Sequence, residues 1–334
     1  MPLYSRRKFL MLASGAGGLA MFGLAARLQR DYNLREFKRT SYALGADVHL
    51  TVLHADEEVA RVALNAAFDE LDLIEDCISV YRAHSDISRL NRQGKIEHPH
   101  AHFLTVLNAG QKMAEQSNGA FDATVQPLWD LYFAAKKNDA LPSVEAIAAV
   151  RAKVDWRDIS VSGERVEFKT PGTKITFNGI GQGFAADRVL AVLKAHGIEH
   201  ALIDAGEYTC EGRKADGSKF RVGIAHPRKP DALIAVCEMD GRALATSGDY
   251  ETYFSDDFLY NHIFDPATGV SPRELASVTV VAPTGILADA LTKPVFIFGR
   301  EKGLALVESM PGCDAFVVTK DGATAHTRGF PLAG

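Results

Sequence analysis

Four short segments of this 334-residue chain carry more glycine and more polar side chains than a buried core needs. In Asn261-His262-Ile263-Phe264-Asp265-Pro266-Ala267-Thr268-Gly269, a histidine stands three positions ahead of an aspartate that opens an Asp-Pro turn. A neutral imidazole can take the proton of a hydroxyl, so His262 is a candidate general base. Read alone, the same residues also make a structural histidine in a hairpin. In Asn178-Gly179-Ile180-Gly181-Gln182-Gly183-Phe184-Ala185-Ala186-Asp187, glycines run into a helical pattern, where backbone amides can approach an anion. The spacing is not the GxGxxG dinucleotide fingerprint, and by itself a tight turn explains it. Ala245-Thr246-Ser247-Gly248-Asp249-Tyr250-Glu251 offers small hydroxyls and a glycine that either wrap a nucleotide or simply turn the chain. Ala288-Asp289-Ala290-Leu291-Thr292-Lys293 puts a carboxylate near a helix start, where it can hold a hard cation such as magnesium or only answer the helix dipole. One helical turn separates Asp289 from Lys293, so the two can pair.

Hydrophobic periodicity predicts the elements that must position these segments. Residues 46–53 alternate, with Val48, Leu50 and Val52 on one face, as a strand does. Residues 57–79 place Val59, Ala63, Ala66, Leu71, Ile74 and Ile78 at helical spacing, and further helices are expected over 101–116 and from Ser143. Short β runs follow at 159–162, 166–169 and 175–177, then a helix over 184–196 and a strand over 201–204. From 220 to 280 the pattern is mostly strands, 260–264 among them, with turn signals at His226-Pro227, Asp240-Gly241 and Asp265-Pro266. Helices are expected over 287–298 and 301–310, and a strand over 315–318. The mixture is α+β with local ββ pairs, in one compact unit from residue 35 to the end.

Composition places the chain in a broad class. Hydrophobic residues make up 47% and charged residues 24%, as in an ordinary globular protein. Ser5-Arg6-Arg7-Lys8-Phe9-Leu10 sets an arginine pair before an uncharged run that ends in the small residues Gly23, Ala25 and Ala26. That form predicts a twin-arginine signal peptide over residues 1–26, cleaved near Ala25 or Ala26, and export to the periplasm. A spanning anchor is the alternative, weakened by Gly15, Gly17, Gly18 and Gly23. Loss of Arg6, Arg7 and Lys8 with the signal takes the net charge from −5 to about −8. A mildly acidic chain without a basic run is a poor nucleic-acid binder. Cys77, Cys210, Cys237 and Cys313 form no CxxC pair. An oxidising compartment permits disulfides in any of three pairings, and buried free thiols are the alternative.

Joined by Tyr81-Arg82-Ala83-His84-Ser85-Asp86-Ile87-Ser88-Arg89-Leu90-Asn91 and Ser117-Asn118-Gly119-Ala120-Phe121-Asp122-Ala123-Thr124-Val125, the four segments resemble, in wording and order, the ApbE family of FAD:protein FMN transferases. The resemblance runs from Gly45-Ala46-Asp47-Val48 to Gly299. It implies a single ApbE-like, T-fold-related domain over 35–334, with mixed antiparallel sheets and packed helices. It implies an enzyme that binds FAD, uses magnesium at the diphosphate, and passes FMN to a threonine or serine hydroxyl of an acceptor protein with release of AMP. By position it makes His262 the base and Asp265 its catalytic neighbour, with Thr268 and Gly269 shaping the turn. FAD contacts fall to Tyr81, Asp122, Gly179, Gly181, Gly183, Asp187, Ser247, Gly248, Asp249, Tyr250, Thr268 and Lys293. Metal contacts fall to Asp289 and the Gly181 carbonyl, with Thr292 a poorer candidate. The leader suggests the NosX-like branch of nitrous-oxide respiration, and as acceptor a periplasmic flavin-carrying protein such as a membrane-bound, NosR-like electron-transfer subunit.

The chain departs from the family pattern in three places. Gly181-Gln182-Gly183 stands where Ala-Lys-Gly is common, and Asp204-Ala205-Gly206-Glu207 where Asp-x-Gly-Gly is frequent. Lys293 takes a metal-ligand position that is usually Thr or Asp. An ammonium beside Asp289 repels magnesium and can replace it at the phosphates, so that loss of a lysine at 182 and gain at 293 reads as a compensated exchange. A flavin carrier without transfer activity, and an FAD pyrophosphatase in which water replaces the acceptor hydroxyl, are the alternatives these departures leave open.

Overall fold

The computed structural model describes residues 34–334, so the signal peptide expected over 1–26 lies outside the described residues. A hairpin of β1 (Arg35–Ala43) and β2 (Ala46–His54) leads into α1 (Glu57–Ile78), α2 (Asp86–Gln93), β3 (Lys95–Glu97) and α3 (Ala101–Gln116). Next come α4 (Gln126–Lys136), α5 (Val144–Arg151), β4 (Ile159–Ser162), β5 (Arg165–Phe168) and α6 (Gly181–Ala195). Five strands follow: β6 (His200–Asp204), β7 (Tyr208–Glu211), β8 (Arg221–His226), β9 (Lys229–Glu238) and β10 (Ala243–Gly248). After β11 (Leu275–Ala282) the chain makes α7 (Gly285–Glu308), β12 (Asp314–Thr319) and β13 (Thr324–His326). Eight strands join in the order β1-β2-β6-β7-β10-β11-β12-β13, antiparallel throughout. Among the described residues no helix is long and apolar enough to cross a membrane.

Strand alternation distributes side chains between two cores. Val48, Leu50 and Val52 of β2, Val278 and Val280 of β11, and Ala315 and Val317 of β12 pack on one face against the helices. Leu53, Val281, Phe316 and Val318 point the other way, onto Phe220, Val222, Ile224 and Cys237 of the β8–β9 region. Strand β11 is therefore buried along its whole length and reads as a continuous apolar run. Helix α1 starts at Asp56, whose side chain accepts the Glu58 and Val59 amides at 2.8 and 3.3 Å. Its buried stripe includes Ala60, Ala63, Ala67, Leu71 and Ile74. All four cysteines are buried free thiols.

Helices α6 and α7 cross at two glycines. A Cβ on Gly183 would lie 2.1 Å from the Gly285 carbonyl oxygen, and one on Gly285 would lie 2.4 Å from that of Gly183. Each helix then caps the other. Asp187 of α6 accepts the Gly285 and Ile286 amides at 2.6 and 2.9 Å, while Asp289 of α7 accepts the Gly183 amide at 3.1 Å. Neither helix has a side-chain cap from its own N-cap residue, so each carboxylate meets otherwise orphaned donors of its neighbour. Further along, Gly299 at φ +77° breaks α7, which accounts for the two separate helical patterns at 287–298 and 301–310.

Two sequence expectations fail for local reasons. Residues 175–177 form no strand, because the Asn91 side chain binds both backbone groups of Ile175, at 2.8 Å each, in place of a neighbouring strand. Residues 260–264 likewise form no strand, and a lone bridge pairs Tyr253 with Asn261. The backbone amide of buried Asn261 donates to the Ser271 hydroxyl oxygen, at 2.9 Å, instead of to a ladder. A third, smaller core of Leu128, Tyr132, Ile147, Phe254 and Phe264 supports this irregular segment from α4 and α5.

Candidate active site

A cleft of about 450 Å³ opens where the start of α6, the end of β10, the β6–β7 turn and the 251–266 segment meet. Ile78, Phe121, Trp129 and Phe264 give it apolar surface, while Gln182, Glu207, Ser247, His262 and Lys293 give it polar surface. A second hollow of about 670 Å³, beside Arg35, Asp56 and Arg61, is open to solvent and carries none of the sequence-derived residues.

His262 is fixed at both ends. Its backbone amide donates to the Thr252 carbonyl at 2.9 Å, and ring Nδ1 lies 3.1 Å from the same oxygen. A carbonyl only accepts, so Nδ1 carries the hydrogen and the lone pair sits on Nε2. The Trp129 ring meets the imidazole edge-on, with centroids 6.5 Å apart. Burial pushes the imidazole pKa down to about 4, against the Thr252 hydrogen bond and with added repulsion from Lys293. The ring is a neutral acceptor at neutral pH.

Asp289, which holds the cleft residue Lys293, is only 1% exposed at its side chain and is engaged on every oxygen. Oδ1 lies 2.5 Å from the Lys293 ammonium, and Oδ2 takes the Gly183 amide. Its backbone oxygen accepts from Thr292 Oγ1 at 2.7 Å and from Lys293 Nζ at 3.2 Å. The Thr292 hydroxyl also pairs with Ser247 at 2.8 Å. Magnesium needs open oxygen donors around near-octahedral space. Here the oxygens are already committed and a positive charge faces the carboxylate, so these residues do not fit that ion. Among the described residues no group of three or more His, Cys, Asp or Glu side chains is arranged to hold a metal.

The family model described as "ApbE family" matches residues 44–317. The chain belongs to the ApbE family. It is 31% identical over 265 residues to an FAD:protein FMN transferase of Vibrio cholerae serotype O1, covering 76% of this chain and 78% of that one. A transferase of the same name from Escherichia coli K12 is 30% identical over 271 residues, covering 77% of each chain. The flavinyl transferase ApbE of Pseudomonas stutzeri superposes with a TM-score of 0.79 at 32% identity, over 90% of this chain and 98% of its own. The ApbE protein of Thermotoga maritima does so with 0.80 at 27%, over 88% and 97%. The α+β architecture, a single domain of antiparallel sheets and packed helices, is therefore the ApbE fold.

Of the residues assigned by ApbE resemblance, Tyr81, Asp122, Gly179, Gly181, Ser247, Gly248, His262 and Lys293 all line the cleft. Tyr81 is 70% exposed at its rim. Asp122 is buried and caps a short 3₁₀ turn, accepting from Thr124 N, Thr124 Oγ1 and Trp156 N at 2.7, 2.6 and 3.0 Å. Burial raises its pKa to about 6 against those hydrogen bonds. Other assigned residues are occupied elsewhere. Asp265 accepts from the Ala267 amide at 2.9 Å and the Thr268 hydroxyl at 3.1 Å; it closes its own turn, and the histidine is oriented by Thr252 instead. Thr268 is exposed in that turn. Asp249 is fully buried in a bidentate pair with Arg228, at 2.7 and 2.8 Å, and in a second pair with Lys320. Tyr250 lies over Gly248, where a Cβ would come within 2.3 Å of its ring. Gly183 and Asp187 serve the helix crossing, and Thr292 is held by Ser247 and Asp289.

Among the cleft residues without an assigned role are Trp129, Thr252 and Glu207. Trp129 sits on α4, whose start is marked in the sequence by Pro127 in its first turn. Thr252 acts through its carbonyl, which no side-chain pattern signals. Glu207, noted only as a departure, is 4% exposed and accepts the Thr246 amide at 2.9 Å. Burial first, and then the charge of Asp289, push its carboxyl well above the usual range, with Lys293 opposing.

Proposed function

We propose that this chain is an FAD:protein FMN transferase, attaching FMN through a phosphoester to a threonine or serine of a protein acceptor and releasing AMP. The observation that carries the reading is His262, held with Nε2 as an acceptor, in the same cleft as Lys293, which Asp289 holds from behind the lining. The acceptor hydroxyl attacks the phosphorus on the FMN side of the FAD diphosphate. A new P–O bond forms as the bond to the bridging oxygen breaks, and AMP leaves with that oxygen. The hydroxyl proton passes to His262 Nε2, since a free hydroxyl is too weak a nucleophile at neutral pH. Charge growing on the departing phosphate needs a fixed donor, which the α6–α7 wall supplies. The apolar surface of Ile78, Phe121 and Trp129 suits a flavin ring. No step is assigned to magnesium, because the oxygens around Asp289 are already engaged.

Export through the twin-arginine route, and a periplasmic acceptor of the membrane-bound, NosR-like kind, belong to the same proposal. A purified periplasmic form beginning near residue 27 supports export, whereas a chain retaining Arg6-Arg7 in the cytoplasm removes that part. For the reaction, intact mass spectrometry of a candidate acceptor after incubation with FAD is the test. The expected gain is one FMN on a threonine or serine, absent with His262→Ala. AMP release without acceptor would identify a pyrophosphatase, and tight FAD binding with neither product would identify a carrier.

A further inference from the structure

Gln182, Glu207 and Lys293 are far apart in the chain, yet all three line the one cleft. They are also among the positions that the resemblance described above marks as departures. The Gln182 amide packs on the turn before Glu207, where a Cβ on Gly206 would come 2.4 Å from its Nε2. Glu207 lies close enough to Asp289 and Lys293 for both charges to act on it. The stem of Lys293 crosses Gly179, where a Cβ would come 2.9 Å from Lys293 Cε. This path leads the ammonium back to Asp289, which it meets twice, at Oδ1 and at the backbone oxygen. An ammonium has three N–H donors. Two are directed at Asp289, and the third is left for the cleft, to which the side chain is 20% exposed.

We propose that Lys293 is the resident cation of this site: its ammonium, clamped by Asp289 across Gly179, binds the diphosphate of FAD in place of a divalent metal ion. A covalently attached cation needs no supply from solution, and Asp289 fixes its position before substrate arrives. Lys293 is also near enough to His262 to lower the basicity of the ring. Cation and base therefore act on the same reacting group. The proposal rests on the transferase reading for the identity of the ligand, so binding and transfer are measured separately.

The experiment titrates purified protein with FAD, following flavin fluorescence, in EDTA and in millimolar magnesium. Wild type is expected to bind equally in both. Lys293→Met removes a charged hydrogen bond and should weaken binding about tenfold or more in either buffer. Lys293→Thr restores a hydroxyl and frees Asp289, so it should bind weakly in EDTA and recover with magnesium. Lys293→Arg, which keeps the charge, should hold affinity in EDTA; with circular dichroism melts it keeps the test decisive where a neutral variant fails to fold. The proposal is overturned if wild type binds FAD only with magnesium, fails to bind it in both buffers, or is matched by a folded Lys293→Met. Metal-independent binding without FMN transfer to any acceptor would leave the resident cation standing and bring down the transferase reading.

Discussion

At the scale of single residues, the tautomer of His262 is set by a carbonyl. Thr252 directs the hydrogen of His262 to Nδ1 and leaves Nε2 open, while burial moves the ring from its ordinary value down to about 4. In the proposed role of base the neutral ring is the active form, so transfer should persist as pH falls through the usual histidine range and fail only near pH 4. A kcat/KM profile with its acid limb near 6.5 would contradict this. The same depression makes the unfolded chain take up a proton first. The contribution of His262 to stability is thus complete above its unfolded pKa and lost as pH falls toward 4. His262 was singled out by its place in the ApbE-like segment, and it does line the cleft. Its partner was not singled out, because the carboxylate nearest in sequence, Asp265, is closing a turn, and the group that matters is a backbone oxygen ten residues upstream. Asp249 misled for a related reason: a buried aspartate in a Ser-Gly-Asp segment looks available until Arg228 and Lys320 are seen to hold it.

At the scale of elements, the crossing of α6 and α7 sets the geometry of the cleft wall that carries Lys293. The two segments match, Gly183-x-x-x-Asp187 against Gly285-x-x-x-Asp289, and each aspartate caps the helix whose glycine it faces. Asp187→Ala removes two capping bonds and should cost about 1–2 kcal/mol in urea unfolding. Gly183→Ala forces a methyl against backbone that cannot rotate away, and should cost at least about 1–3 kcal/mol. An alanine at 183 that leaves the midpoint unchanged would show that the helices can separate freely. Of these elements, β2, α1 and the two pieces of α7 were legible because alternation and helical stripes follow directly from one buried face. Helix α2 was not, since it is eight mostly polar residues capped by Ser85 and stopped by Gly94. Neither was the crossing itself, whose two glycines lie about a hundred positions apart and carry no mutual signal in one sequence.

At the scale of the whole molecule, an antiparallel sheet is covered on both faces, and His262 rides on a segment outside it, supported by its own small core. Tyr132 is fully buried there and its hydroxyl donates to the Gly269 carbonyl at 3.2 Å. Tyr132→Ala should therefore loosen residues 250–270 in hydrogen exchange and lower kcat, with FAD affinity largely kept by the α6–α7 wall. Equal losses in both would place flavin binding on the histidine segment as well. The antiparallel pairing and the single unit were readable from the chain; the third core was not, because α4 had left no clear stripe and the 250–270 region hides its order in side-chain-to-backbone bonds.

The mutual capping of α6 and α7 has a thermodynamic consequence. Asp289 holds a helix start deep in the main core and, through Lys293, one wall of the cleft. That wall cannot melt ahead of the rest, so occupancy of the cleft and cohesion of the domain form one linked equilibrium. A ligand seated against Lys293 should raise the melting temperature of the entire domain in a single calorimetric transition, by an amount that grows with the logarithm of ligand concentration.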